Sequence, residues 1–248
     1  MDAVRSVRSL TIDGTDTATA YGAYVIDGTM AGTPQRTITA YQIPGRSGDL
    51  VLDSKRYNNR QIKYTFSLKG EDVIARTQAF CTFLAAKSIT YHKVMDPQYS
   101  ETYMLMRVTD TIAPTFKRTR SENGLAVIAV AFDAKPHRYL IDGDTFTTYS
   151  SGASINNPYS EPCYPLLRTN GTVTIGINEK IISVTNSANL TVYIDTERLD
   201  AYTDTGVNFN DNIALSAYSP ESYALNPGNN TVSIDGASVD IAPRYRTI

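Results

Sequence analysis

Short runs of alternating apolar and polar residues, cut by Gly, Asn, Asp and Pro, fill most of the chain. That period of two predicts strands over Val4–Ile12, closed by Asp13-Gly14, and Tyr21–Ile26, closed by Asp27-Gly28. Over Arg36–Ile43, residues Ile38, Ala40 and Gln42 share one face, and Thr37, Thr39, Tyr41 and Ile43 the other. Leu50–Leu52 follows, then Arg60–Leu68, where Ile62, Tyr64, Phe66 and Leu68 line one face. Between Glu71 and Lys87 the period changes. Val73, Ile74, Phe80, Cys81 and Leu84, with Thr77 filling the gap, fall at helical spacings. Glu71 and Asp72 stand in the first turn and Lys87 in the last, where the helix dipole favours them. This predicts one amphipathic helix packed on a sheet. Strands resume over Ser88–Lys93, Glu101–Thr111 and Gly124–Ala134; the last is nearly all apolar, as a central strand would be, and Lys135-Pro136 is expected to end it.

From Asp142 to Pro165 the chain turns rich in Gly, Ser, Thr, Asn and Pro, and reads as a connection. Beyond it come further short strands: Tyr164–Thr169, Thr172–Gly176, Lys180–Thr185, Leu190–Asp195, Asn229–Asp235 and Ala237–Pro243. Asn170-Gly171, Asn226–Asn230 and Asp235-Gly236 mark turns between them. The expected fold is mainly β. An N-terminal β-structure with one helix (1–141) precedes a C-terminal sandwich (142–248).

Composition supports this and narrows the function. Apolar residues make up 42% of 248, enough for a core, and 17 tyrosines with no tryptophan suit β-structure. A net charge of −2 does not announce a nucleic-acid binder. The start MDAVRSVRSL lacks the apolar stretch of a signal peptide, and no run approaches the ~20 apolar residues of a membrane span, so a soluble, non-exported protein is expected.

Candidate chemistry is sparse. Cys81 and Cys163 form no metal spacing and are expected to be reduced thiols, Cys81 on the buried side of the helix. His92 and His137 belong to no ligand pattern, and no GxSxG elbow occurs. No cofactor, metal site or catalytic constellation is expected. Asp195 and Glu197 lie two apart, on one face if the strand continues, and could be imagined as a hydrolase's carboxylate pair; a polar strand end is the simpler reading. Arg138-Tyr139 and Arg244-Tyr245-Arg246 could stack bases, but without a basic cluster around them structural hydrogen bonding is expected. In IPGRSGDL, residues 43–50, the spacing is wrong for a phosphate loop and Ser47 interrupts any RGD. Pro44, Gly45 and Gly48 instead fit a turn between strands that presents Arg46 and Asp49 outward.

Four phrases together resemble the phage distal tail proteins: IPGRSGDL; FDAKPHRYL, residues 132–140; VYIDTERLDAY, 192–202; and LNPGNNTVSIDG with IAPRYR, 225–236 and 241–246. Ala134 and His137 depart from the family's usual cysteine and tyrosine, and Asn156-Asn157-Pro158 replaces a Gly-Asn. The resemblance implies an N-terminal domain that forms a hexameric ring at the end of a long non-contractile tail, and a galectin-like C-terminal sandwich. The ring would join the tail-tube protein to a tail-associated lysin or tail fibre, in some phages with a receptor-binding protein on the outer domain. DNA would pass through the channel without specific binding. The location implied is the virion's tail tip, after assembly in the host cytoplasm. Pro44, Gly45, Arg46, Gly48 and Asp49 become a subunit-contact turn. The alternative is a carbohydrate-binding module for host adhesion, using Tyr193, Tyr202, Tyr218 or Tyr223.

Overall fold

The computed structural model describes residues 8–28, 32–117 and 124–248. Val4–Val7, read as the start of a strand, lie outside the described residues. The chain divides into two compact units, the first running to Arg138 (with the terminal Ile248) and the second covering Tyr139–Thr247.

The first unit opens with β1 (Thr11–Ile12) and β2 (Thr15–Asp16), joined through Asp13-Gly14, then α1 (Thr17–Tyr21) and β3 (Ala23–Gly28). Helix α1 corrects the expectation of a single helix and of a strand from Tyr21. Asp16 caps it by accepting the Thr19 N–H at 2.7 Å, and Gly22 ends it at φ 65°. Five polar and small residues carry no apolar period, so only the caps could have announced it.

There follow β4 (Arg36–Tyr41), β5 (Leu50–Tyr57), β6 (Arg60–Lys69), α2 (Val73–Ala85), β7 (His92–Met95), β8 (Thr102–Val108), β9 (Thr115–Lys117) and β10 (Leu125–Leu140). The main sheet runs β2-β1-β7-β8-β10-β6-β3, with β9 also beside β10. Alternation along β6 puts Ile62, Tyr64, Phe66 and Leu68 inward, facing the same core as Ile128 and Phe132 of β10. Strand β10 runs through Lys135-Pro136 rather than ending there. Its ladder with β6 stops at Ala134↔Arg60, so the N–H that Pro136 lacks is not needed on that side.

Helix α2 buries Val73, Thr77, Phe80 and Leu84, one face at successive turns. Phe80 meets Phe66 edge-on at 5.1 Å between centroids. The core reading of Ile74 is overturned, since it is 68% exposed, and Cys81 is half-buried. The helix is shorter than expected. Glu71 and Asp72 precede it, Asp72 standing at φ 55°, and Lys87 lies past its end, bonded to Asp13.

In the second unit, β11 (Thr147–Tyr149), β12 (Ser154–Asn157), β13 (Leu166–Thr169), β14 (Val173–Ile177), β15 (Lys180–Val184), β16 (Val192–Asp195), β17 (Asp200–Thr203), β18 (Ile213–Leu215), β19 (Gly228–Gly236) and β20 (Val239–Ala242) build two sheets. Their orders are β11-β20-β13-β16-β17 and β12-β19-β14-β15-β18. One apolar core, including Leu167, Ile175, Ile182, Ile194, Tyr223, Leu225 and Ile241, is drawn from both. The segment read as a connection, Asp142–Pro165, is thus corrected: it supplies the edge strands β11 and β12.

Candidate functional site

Strands β4 and β5 pair only with each other among the described residues, and so form a hairpin hydrogen-bonded to no strand of the main sheet. The stretch Ile43–Leu50 is its turn. The Arg46 N–H bonds the Ile43 carbonyl at 3.1 Å, with Pro44 and Gly45 at the corner. Gly45 (φ 81°) and Gly48 (φ 85°) have open space around them, so the backbone conformation, not crowding, demands glycine there. Arg46 and Asp49 are exposed and their side chains have no partner among the described residues.

The register pairs Ile38↔Asp53, Thr39↔Leu52, Ala40↔Val51 and Tyr41↔Leu50. One face therefore carries Ile38, Ala40 and Val51, the other Tyr41, Leu50 and Leu52. All are exposed, from 39% at Leu50 to 56% at Ile38 among the large ones. An isolated two-stranded hairpin is at best marginally stable in water, and apolar residues on both faces make solvent a poor environment for it. The root is well tied. Arg36 bonds Asp53 at 2.8 Å and the Tyr57 hydroxyl at 3.2 Å, while the Asn58 N–H reaches the Gln35 carbonyl at 2.9 Å. The bond from Arg36 also holds the Asp53 carboxyl below its usual range.

No protein-family model matches the chain, and no curated protein matches it. A solved structure does. The SPP1 Dit (gp 19.1) protein, described as a paradigm of the hub adsorption apparatus in phages infecting Gram-positive hosts, aligns with a TM-score of 0.68 at 12% identity. The match covers 98% of this chain and 100% of that one. The chain has the Dit fold. At this identity the likeness speaks for the fold alone, yet it runs the length of both chains, as the order of the four phrases led one to expect.

Three of those phrases meet in the Dit-like second unit. Asp195, at the end of β16, is buried, and Arg244 grips it with two bonds of 2.7 and 3.1 Å. The Glu197 and Arg198 N–H groups, at 3.0 and 3.4 Å, fill its remaining acceptor positions. Burial pushes its pKa up, but Arg244 and these amides outweigh that and hold it below the usual carboxylate value. Arg244 also donates to the Tyr164 carbonyl at 2.8 Å, and Arg246 to that of Pro162 at 2.6 Å, with its guanidinium over the Tyr164 ring. Glu197 lies 3.8 Å from Arg246. Tyr139, pushed up to about 12 by burial and then by the Glu197 charge, adds the FDAKPHRYL phrase. A general acid needs a raised pKa and a free proton-bearing oxygen. Asp195 has neither, and the pair proves to be a structural node.

The histidines, Arg138 and Tyr245 are likewise engaged. His92 bonds Asp13 at 2.7 Å and His137 packs edge-on against Tyr57. Arg138 stacks on Tyr99 and the Tyr245 hydroxyl donates to the Asn156 carbonyl. Both cysteines are free, and burial pushes the Cys163 thiol up to about 12. Tyr193 and Tyr202 stack on each other, Tyr223 is buried with its hydroxyl on Ala217, and Tyr218 is 88% exposed. Among the described residues no group of three or more His, Cys, Asp or Glu could hold a metal, and no helix is long and apolar enough to cross a membrane. One signal was missed. Cut at the unit boundary, residues 1–138 hold eighteen Lys and Arg against thirteen Asp and Glu, net +5, and the second unit five against twelve, net −7.

Proposed function

We propose that this protein is a tail hub of a long-tailed phage: six copies form a ring that joins the tail tube to the tail-tip or baseplate proteins in the virion. The observation that carries this reading is the full-length correspondence with SPP1 Dit. The first unit forms the ring and the second, read as a galectin-like sandwich, projects as a platform for a lysin, fibre or receptor-binding protein. A hub works through faces, and the β4–β5 hairpin offers two apolar faces that are exposed among the described residues. Laid against the next copy, it makes a heterologous contact that closes by rotation, burying residues that solvent otherwise disfavours. Pro44, Gly45, Arg46, Gly48 and Asp49 then form the tip of that contact. DNA passes through the ring without specific binding.

The test is the solution mass by light scattering, with imaging of the main peak. A particle of about six 27.2 kDa chains with a central hole is expected. A monomer at every concentration, both alone and with the tail-tube protein added, would overturn the proposal. The glycan-binding alternative rests on Tyr218, the one fully presented ring of the four tyrosines considered. A glycan array with specific binding lost in Tyr218→Ala would favour it.

A further inference from the structure

The hairpin leaves the sheet at a defined place, and the residues around its root include Asp133, Lys135 and His137 of the phrase FDAKPHRYL. Asp133, in β10, accepts three groups on one oxygen: Asn59 Nδ2 at 3.1 Å, the Tyr91 hydroxyl at 2.9 Å and Arg107 Nε at 3.1 Å. Asn59 Nδ2 also reaches the Tyr91 hydroxyl at 2.7 Å. Arg107 and Lys135 both lie over the Tyr91 ring. His137, four residues on from Asp133, meets the ring of Tyr57 edge-on at 6.0 Å. Tyr57 is the last residue of β5, Asn59 follows two later, and Arg60 begins β6 and donates to the Gly32 carbonyl on the incoming side. Arg60 is 9% exposed and its Nε has no hydrogen-bond partner among the described residues, an expensive arrangement for a guanidinium unless its position matters.

We propose that Asp133 and Asn59, with His137 against Tyr57, form a socket that fixes the direction in which the hairpin projects, and that ring closure depends on that direction. They are positioning residues: none lies on the apolar faces of the arm. A hairpin held by two strands alone swings about its root, and each copy would present it at a different angle. A heterologous contact closes only when every copy presents the same angle. The socket turns a marginal element into a directed one by a charge-assisted, triply shared carboxylate. The closure part of this inference rests on the hairpin being the ring contact; the socket itself does not.

The test separates the two. Nitroxide labels go on Asp49→Cys at the tip and Lys63→Cys on β6, in a Cys81→Ser background; Cys163 is buried and unreactive. Pulsed electron resonance on the monomer then reads the arm's distance distribution. One narrow distribution is expected for the otherwise native chain, and broad ones for Asn59→Ala and Asp133→Ala, with the first unit's melting transition kept at least in Asn59→Ala. A distribution as narrow in Asn59→Ala as in the native chain would overturn the socket, whatever the ring does. In unlabelled protein, loss of the ring peak in Asn59→Ala supports the link to closure; a ring formed as well as by the native chain overturns it. If the native chain forms no ring, the hub reading fails while the distance measurement still decides the socket.

Discussion

Asp195 shows how a single residue can invite one chemistry and perform another. Two carboxylates two positions apart look like a catalytic pair until Arg244, 49 residues away, is found across one of them. No local pattern in the chain announces that partner; only folding brings VYIDTER and IAPRYR together. The pair makes a prediction with a sign. The folded Asp195 pKa lies below its unfolded value, so its contribution to stability is fully present above about pH 4 and is lost as pH falls through the folded pKa. At neutral pH, Asp195→Asn leaves Arg244 buried without its counter-charge and should cost the second unit about 3 kcal/mol. The deficit should shrink as acid protonates the native carboxylate. Urea unfolding of both proteins across pH 2.5–7 checks it; a deficit unchanged at the acid end would mean the charge is not what matters. By contrast, the turn glycines were readable directly, because Pro44-Gly45 specifies a corner by its own backbone preferences.

At the level of elements, what the sequence discloses depends on whether burial follows a period. Strand β6 was legible because alternate residues meet one core, and α2 because four residues at turn spacing do. Ile74 was misassigned because the pattern tolerates an apolar residue beside the buried stripe. Two substitutions distinguish the registers: Phe80→Ala should destabilise the first unit by about 3–5 kcal/mol, and Ile74→Ala by less than about 0.5. Equal effects on the thermal transition would restore the wider face. Strands β17 and β18 were missed because each is only a few residues long and set among loops. The hairpin was legible as a hairpin but not as a free one, since alternation reads the same whether a face meets the chain's own core or a neighbour. That difference is testable. Val51→Asp and Leu52→Asp, one on each face, should abolish the ring peak while leaving the monomer's circular dichroism and melting unchanged. If either variant unfolds the first unit, that face packs at home and the free arm is disproved.

For the whole molecule the question is what the charge on each copy would do to the proposed ring. If first units of net +5 make the wall of a ring, their mutual repulsion opposes closure, and the apolar faces of the arms must overcome it. Salt screens that repulsion over a Debye length of roughly 8–10 Å near physiological strength, and leaves apolar burial intact. Assembly should therefore strengthen as NaCl rises from about 20 to 300 mM, a range over which the screening length falls severalfold. An interface held mainly by ion pairs, for instance Arg46 of one turn on an acidic group of the next copy, would respond in the opposite sense. Light scattering at fixed protein concentration across that range decides between them. A mass that climbs with salt supports closure by the apolar arms, with Arg46 and Asp49 refining the fit. A mass that falls would move the weight of the contact to Arg46 and Asp49, and Arg46→Ala should then dissolve the ring at any salt concentration.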